Sequence, residues 1–194
     1  MKMLEEMITS KGQVYPGNIL KVDGFLNHQV DVDLVDKMAE EFYGQFKDSG
    51  ITKVLTIEAS GIAIGYAVAT LFKVPLIFAK KSKSLNLSDD VYVSRVSSFT
   101  RGEDYDVTVS SKYLDNTDKV LLIDDFIAIG NAMKGLVEIR DQARACIAGI
   151  GVGIEKGFQP GGEDLRMMGF EVLSLAIIDS MSEDGTITFR KIED

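Results

Sequence analysis

The sequence predicts an α/β fold, a mainly parallel sheet flanked by helices, and three observations predict it. From Lys53 onward, short runs of β-formers alternate with helical segments, the pattern of parallel strands covered by helices on both faces. Runs such as Val120-Leu121-Leu122-Ile123 are apolar without a break, as burial on both faces of a sheet requires. The third is composition: 194 residues, 45% hydrophobic and 26% charged, suit one body large enough to bury its own core. No linker or repeat divides the chain, so residues 1–194 are expected to form a single domain, with N-terminal helices in 1–50 and the core in 51–180.

Taken in order, Met3, Leu4, Met7 and Ile8 fall at helical spacing, and Gly12 with Pro16-Gly17 ends that helix. Coil is expected through Val30. Asp33 can cap a second helix whose Leu34, Val35, Met38, Phe42 and Phe46 make one stripe, closed by Ser49-Gly50. A strand over Lys53–Ile57, a helix over Gly61–Phe72 and a strand over Val74–Ala79 follow. Gly61-x-x-x-Gly65 lets that helix lie close to the sheet. Tyr92–Phe99 and Asp106–Val109 read as an antiparallel excursion about the turn residues Arg101-Gly102-Glu103-Asp104. The core resumes with a strand over Val120–Ile123, a helix over Met133–Ala143, a buried strand over Cys146–Ile154 and a short helix over Leu165–Met168. Val172–Ile178 and Thr186–Phe189 read as closing strands.

Composition also excludes functions. Lysine plus arginine total 21 against 30 aspartate plus glutamate, a net charge of −9, which disfavours a protein that coats nucleic acid. The longest mostly apolar stretch, Gly61 to Phe72, is shorter than the ~20 residues a membrane helix needs. Met1-Lys2-Met3-Leu4-Glu5-Glu6 puts acids where a secretion signal needs an apolar segment, so a cytoplasmic setting is expected. The lone cysteine, Cys146, cannot form an intramolecular bridge and is expected to pack as a small apolar side chain in a strand. His28, the only histidine, reads as structural rather than as a base.

Chemistry concentrates in Val120-Leu121-Leu122-Ile123-Asp124-Asp125-Phe126-Ile127-Ala128-Ile129-Gly130-Asn131-Ala132, a buried strand that ends in two acids and turns at a glycine into a helix. Free N–H groups and the positive end of a helix dipole converge at such a turn and suit a phosphate. Two carboxylates beside an anion site make sense if they accept hydrogen bonds from sugar hydroxyls or face a divalent cation, which together describe a phosphorylated ribose. The plain alternative is that Asp124 and Asp125 merely end the strand and cap the turn.

This segment resembles the phosphoribosyl pyrophosphate (PRPP) motif of the type I phosphoribosyltransferases. Their common loop is Ala-Thr-Gly-Gly-Thr, whereas this chain has Ala128-Ile129-Gly130-Asn131-Ala132, losing two hydroxyls but keeping the backbone donors and an amide at Asn131. That variant is similar to the loop of the bacterial purine-salvage branch that uses xanthine. Further likenesses are Ile19 to Gln29, Gly50 to Lys53, Ile57 to Ala63, Phe78 to Leu85 and Ile154 to Gly161. The resemblance implies a fold with a small hood, partly built by residues 1–50, and a flexible loop at about 82–111. It implies Asp124 and Asp125 as catalytic acids and Ala128, Ile129, Gly130, Asn131 and Ala132 as the PRPP loop. Glu58, Ala59, Ser60 and Gly61, with Lys80 and Lys81, are implied for pyrophosphate, and Leu20, Asn27 and Lys156 for xanthine. Magnesium would arrive with PRPP rather than on a site of the protein's own, no organic cofactor is expected, and the partner would be a second copy in a homodimer.

Other readings remain open on sequence alone. Another 6-oxopurine, guanine or hypoxanthine, could be the base. A regulator that senses PRPP on the same fold would need a DNA-reading helix pair ahead of the core, which the first 50 residues and the acidic charge disfavour. A signalling receiver also opens on an acid pair after a strand, but places it on the first strand of the fold.

Overall fold

The computed structural model describes residues 1–82, 90–97, 104–182 and 184–191. Helix α1 (Lys2–Lys11) leads into a hairpin of β1 (Gln13–Tyr15) and β2 (Ile19–Lys21), a π-turn over Asp23–Asn27, and α2 (Val32–Phe46). The core follows as β3 (Lys53–Ile57), α3 (Gly61–Phe72), β4 (Leu76–Ser82), β5 (Val91–Ser97), β6 (Asp104–Ser110), β7 (Lys119–Ile127), α4 (Asn131–Ala143), β8 (Cys146–Lys156), α5 (Gly161–Met167), β9 (Val172–Met181) and β10 (Ile187–Phe189).

One eight-stranded sheet has the order β10-β9-β8-β7-β3-β4-β6-β5. Its centre, β9-β8-β7-β3-β4, is parallel, and β10, β6 and β5 join antiparallel. The chain runs from β3 outward to β4 and then returns to β7 on the other side of β3. Because crossovers are right-handed, that reversal sends the connecting helices to opposite faces. Leu4, Ile8, Leu34, Met38, Phe42, Phe46, Ile64 and Val68 of α1, α2 and α3 pack on one face against Val54, Leu121, Ile123 and Ile154. Met133, Leu136, Ile139 and Leu165 of α4 and α5 pack on the other against Leu55, Val120, Leu122, Ile150 and Val152. The stripe foreseen on α2 is buried throughout.

Small residues on the sheet make room for this packing. A Cβ at Gly151 of β8 would meet Ile123 at 2.6 Å and Phe42 at 2.7 Å, and one at Gly149 would enter the ring of Phe46. Gly65 brings α3 close to the sheet, since a Cβ there would lie 3.0 Å from Leu76, as its spacing with Gly61 predicts.

Several expectations are corrected. The stretch before Val30 is a hairpin and a π-turn rather than coil: Pro16-Gly17-Asn18 makes a tight turn in which Gly17 and Asn18 take positive φ, flanked by the β-formers Val14, Tyr15 and Ile19. Asp31, not Asp33, caps α2, its side chain accepting from Leu34 N at 3.1 Å, because the capping carboxylate must stand ahead of the first turn to reach a free amide. β4 begins at Leu76, after Pro75, rather than at Val74. Cys146 opens β8 but is exposed. The excursion of β5 and β6 is antiparallel as expected. Its turn at Arg101-Gly102-Glu103, with Phe99 and the segment 83–89 of the foreseen loop, lies outside the described residues.

Replacing Gly151 with Ala forces a methyl between Ile123 and Phe42 and is expected to cost about 1–3 kcal/mol. Urea unfolding followed by circular dichroism should show a lower midpoint with an unchanged slope.

Candidate active site at the carboxyl ends of the strands

Where β3 and β7 part toward opposite faces, a crevice opens beyond the carboxyl ends of the strands, the usual ligand position in an open α/β sheet. Residues 58–61 after β3, the end of β4, the end of β7 with the loop behind it, and Lys156 at the end of β8 all approach this edge.

Asp124 and Asp125 are 5% and 7% exposed. They lie within β7 rather than at its end, because the strand continues pairing with β8 through Phe126 and Ile127. Asp124 Oδ1 accepts from Asp125 N at 3.0 Å. Burial, followed by the charge of Asp125 and a side-chain hydrogen bond with it, pushes the Asp124 carboxyl well above the usual carboxylate range, while the charge of Lys81 acts against that rise. Gly61, the first residue of α3, lies against this acid: a Cβ there would come within 3.1 Å of Asp124 Oδ1 and collide with the Thr56 hydroxyl.

Residues 128–130 connect β7 to α4. Gly130 takes φ +86° at the N-cap of α4, a conformation that glycine adopts without strain. The loop rests on the start of α5. Gly161 N donates to Ala128 O at 2.9 Å, a Cβ on Gly130 would lie 3.0 Å from Gly161 Cα, and one on Gly161 would lie 2.6 Å from Gly130 N. The first amides of the thirteen-residue α4 face the space in front. Asn131, foreseen as an amide donor to phosphate, donates its Nδ2 to Ser97 O at 2.9 Å, tying the loop to the end of β5.

In front of the loop is a cavity of about 370 Å³ lined by Gly17, Asn18 and Ile19 of the hairpin turn, Tyr105, residues 126–133, Lys156 and Gln159. That size accommodates a small ligand. Lys156 Nζ donates to Asn18 O at 2.8 Å, and burial lowers the pKa of its ammonium.

The remaining predicted residues divide. Glu58 Oε1 accepts from Lys81 N at 2.6 Å, Ala59 is exposed, and Ser60 is half-buried ahead of α3. Alternation along β4 separates the two lysines. Lys81 lies 5.2 Å over the ring of Tyr105 and acts on Asp124, whereas Lys80 lines a different cavity of about 610 Å³ with Phe78, Thr108 and Tyr113. Leu20 is 8% exposed in the core beneath the hairpin, and its neighbour Ile19 reaches the cavity instead. Asn27 is exposed at the end of the π-turn, outside the cavity lining, and His28 beside it is exposed too.

One constellation escaped the sequence reading. Glu155, 2% exposed, accepts from Arg166 Nη1 at 2.9 Å and Nη2 at 2.7 Å, and from Ser174 Oγ. Burial alone would raise its pKa, but the hydrogen bonds of Arg166 and Ser174 outweigh that and hold it below the usual range. The available signal was an acid in the apolar run of β8, which needs a partner. Nothing in the spacing points to Arg166.

Fold and site together define a doubly wound α/β protein with a glycine-supported loop and a buried acid pair at the switch point of its sheet. Residues 21–166 match the phosphoribosyl transferase domain. The chain is 54% identical over 192 residues to a xanthine phosphoribosyltransferase of Bifidobacterium adolescentis, covering 98% of this chain and 100% of the relative. It is 50% identical to that of Lachnoclostridium phytofermentans, covering 98% of each, and 49% identical to that of Bacillus cereus, covering 100% of this chain and 98% of the relative. Among solved structures, the adenine phosphoribosyltransferase of Giardia lamblia complexed with 9-deazaadenine superposes with a TM-score of 0.75 at 23% identity, over 90% of this chain and 96% of that one. The chain belongs to the phosphoribosyltransferase family and has its type I fold.

Since folding raises the Asp124 pKa, the folded protein holds that proton more tightly than the unfolded chain. The resulting stability is present below the ordinary carboxylate range and is lost as pH rises through the folded value. Asp124→Asn is therefore expected to raise the melting temperature at pH 8 and to lose this advantage near pH 4, measured by thermal scans across that range.

Proposed function

We propose that the protein is a xanthine phosphoribosyltransferase, moving the 5-phosphoribosyl group of PRPP to N9 of xanthine and yielding xanthosine 5′-monophosphate and pyrophosphate. The observation that carries the reading is identity of 49–54% to enzymes of that name along essentially the full length of each chain. The buried acids and glycine-supported loop at one strand end give it a chemical basis.

In this reading the amides of Ala128, Ile129, Gly130, Asn131 and Ala132 hold the 5′-phosphate. Asp124 and Asp125 accept hydrogen bonds from the ribose hydroxyls, which relieves the cost of burying both acids, and their charge favours the cationic character that develops at the anomeric carbon. Residues Glu58, Ala59, Ser60 and Gly61, with Lys81, receive the departing pyrophosphate; Lys80, matched to the same group by resemblance, faces the other cavity. The bond from the anomeric carbon to pyrophosphate breaks as the bond to N9 forms, the electron pair leaving with pyrophosphate and the N9 proton of the base passing to water. The acid pair has charge to share with a magnesium ion brought by PRPP, which when bound neutralises the leaving group. Lys156, a donor only, suits a carbonyl oxygen of the base, which it would take in exchange for Asn18 O. Leu20 and Asn27 belong to the base end through the hairpin and π-turn that carry them. A cover that keeps water from the reacting carbon is expected by resemblance within residues 82–111, of which Val91–Ser97 and Asp104–Ser110 are strands of the sheet. The assembly is a homodimer, as the family resemblance implies. The compartment is the cytoplasm, where a multiply charged sugar such as PRPP is confined.

Pyrophosphate release measured with xanthine, guanine, hypoxanthine, adenine and uracil should put xanthine ahead of guanine by at least about tenfold in kcat/KM, with adenine and uracil inactive. Guanine or hypoxanthine in the lead would replace xanthine as the substrate. The double variant Asp124→Asn, Asp125→Asn should remain folded and lose about a hundredfold or more in kcat; turnover at the unmodified rate would remove both acids from the reaction.

A further inference from the structure

We infer that the buried Glu155–Arg166–Ser174 network is a clamp that positions the PRPP loop, acting through helix α5 and without touching substrate. The inference rests on the reading of residues 128–132 as that loop.

The mechanical connection is continuous. Glu155 stands near the end of β8, and Ser174 belongs to the neighbouring strand β9, so the carboxylate bridges two strands of the sheet. Arg166 approaches from α5 and makes the two-pronged contact, 2.9 and 2.7 Å, that a planar guanidinium and a carboxylate form best. Gly162 closes the other side: a Cβ there would collide with Glu155 Oε1, so the first turn of α5 is seated directly on the carboxylate. The preceding residue, Gly161, is the one that donates to Ala128 O and leaves no room for a side chain against Gly130. A shift in α5 therefore reaches the loop within one residue.

Tertiary cohesion alone does not call for this arrangement. α5 spans only Gly161–Met167 and ends in exposed Met167 and Met168, with Leu165 as its buried apolar anchor. Replacing a buried ion pair by apolar side chains is often neutral or stabilising, so the pair is better understood by what its directional bonds fix. Lys134 of α4 ties α5 from the other side through Asp164 at 2.6 Å, and the two N–H···O contacts of Arg166 fix its rotation and height on the sheet, which one leucine cannot do. Arg166, Ser174 and Gly162 are positioning residues in this account, and Lys156, next to Glu155, remains the residue that faces the cavity.

The test uses Arg166→Gln, which keeps one hydrogen bond and removes the fork, with Arg166→Lys as the milder variant and Gly151→Ala as a destabilised control whose added methyl meets Ile123 and Phe42 on the sheet face opposite α5. Arg166→Gln is expected to raise KM for PRPP by about tenfold or more while KM for xanthine stays within about threefold. Arg166→Lys should give an intermediate rise, and it carries the test if Arg166→Gln does not fold. Gly151→Ala should lower stability and move neither KM. Amide hydrogen exchange on protein without ligand should be at least about tenfold faster at residues 130–132 in the Arg166 variants. Unchanged KM for PRPP and unchanged exchange in Arg166→Lys would overturn the clamp. If the unmodified protein turns over no PRPP, the functional reading fails, and the exchange measurement still decides whether the clamp holds the loop.

Discussion

Two carboxylates buried next to each other on a central strand impose the condition that the rest of the molecule answers. Desolvation and mutual repulsion both oppose the charged pair, and the Asp124 carboxyl rises well above its ordinary range as a result. The fold sustains the pair because β7 lies between β3 and β8, held by parallel ladders on both sides, with the apolar residues Val120 to Ile123 anchoring the strand below it. The stability forgone at the acids is supplied by the two layers of helices.

Close approach of neighbouring elements is a second constraint. Gly61 admits α3 to the neighbourhood of Asp124, Gly130 and Gly161 let the loop and α5 touch backbone to backbone, and Gly151 makes room for Phe42. Each spot lacks a side chain because a strand, helix or loop must occupy the space. The consequence at the site is a rigid floor: the loop after β7 is supported from behind by a helix that is itself fixed to two strands through Glu155.

Much of the fold was legible because its signals are local. The alternation of apolar strands with helices, the α2 stripe and the antiparallel excursion depend on periodicities of two and 3.6 that survive in any context. That Asp124, Asp125 and the loop through Ala132 stand together where β7 leads into α4 was legible for the same reason, being one continuous stretch. What sequence reasoning missed depends on contacts between distant segments. The hairpin at Gln13–Lys21 has strands of only three residues each, too short for a period to declare itself. The strand legible in sequence ends at Ala79, ahead of Lys80 and Lys81, but pairing with β6 extends β4 to Ser82 and alternation then sends the two lysines to opposite faces. The partnership of Glu155 with Arg166 and Ser174 joins three elements whose spacing carries no pattern. Leu20, matched by resemblance, lies away from the cavity because the pleat of β2 turns Ile19 to it instead, and Asn27 lies outside the lining at the end of the π-turn.

The bond from Lys156 Nζ to Asn18 O spans 138 residues of chain. A ribosome making this protein releases the hairpin early and the lysine late, so nascent chains carry one wall of the cavity long before the other exists. Such a pocket comes into being only near the end of synthesis.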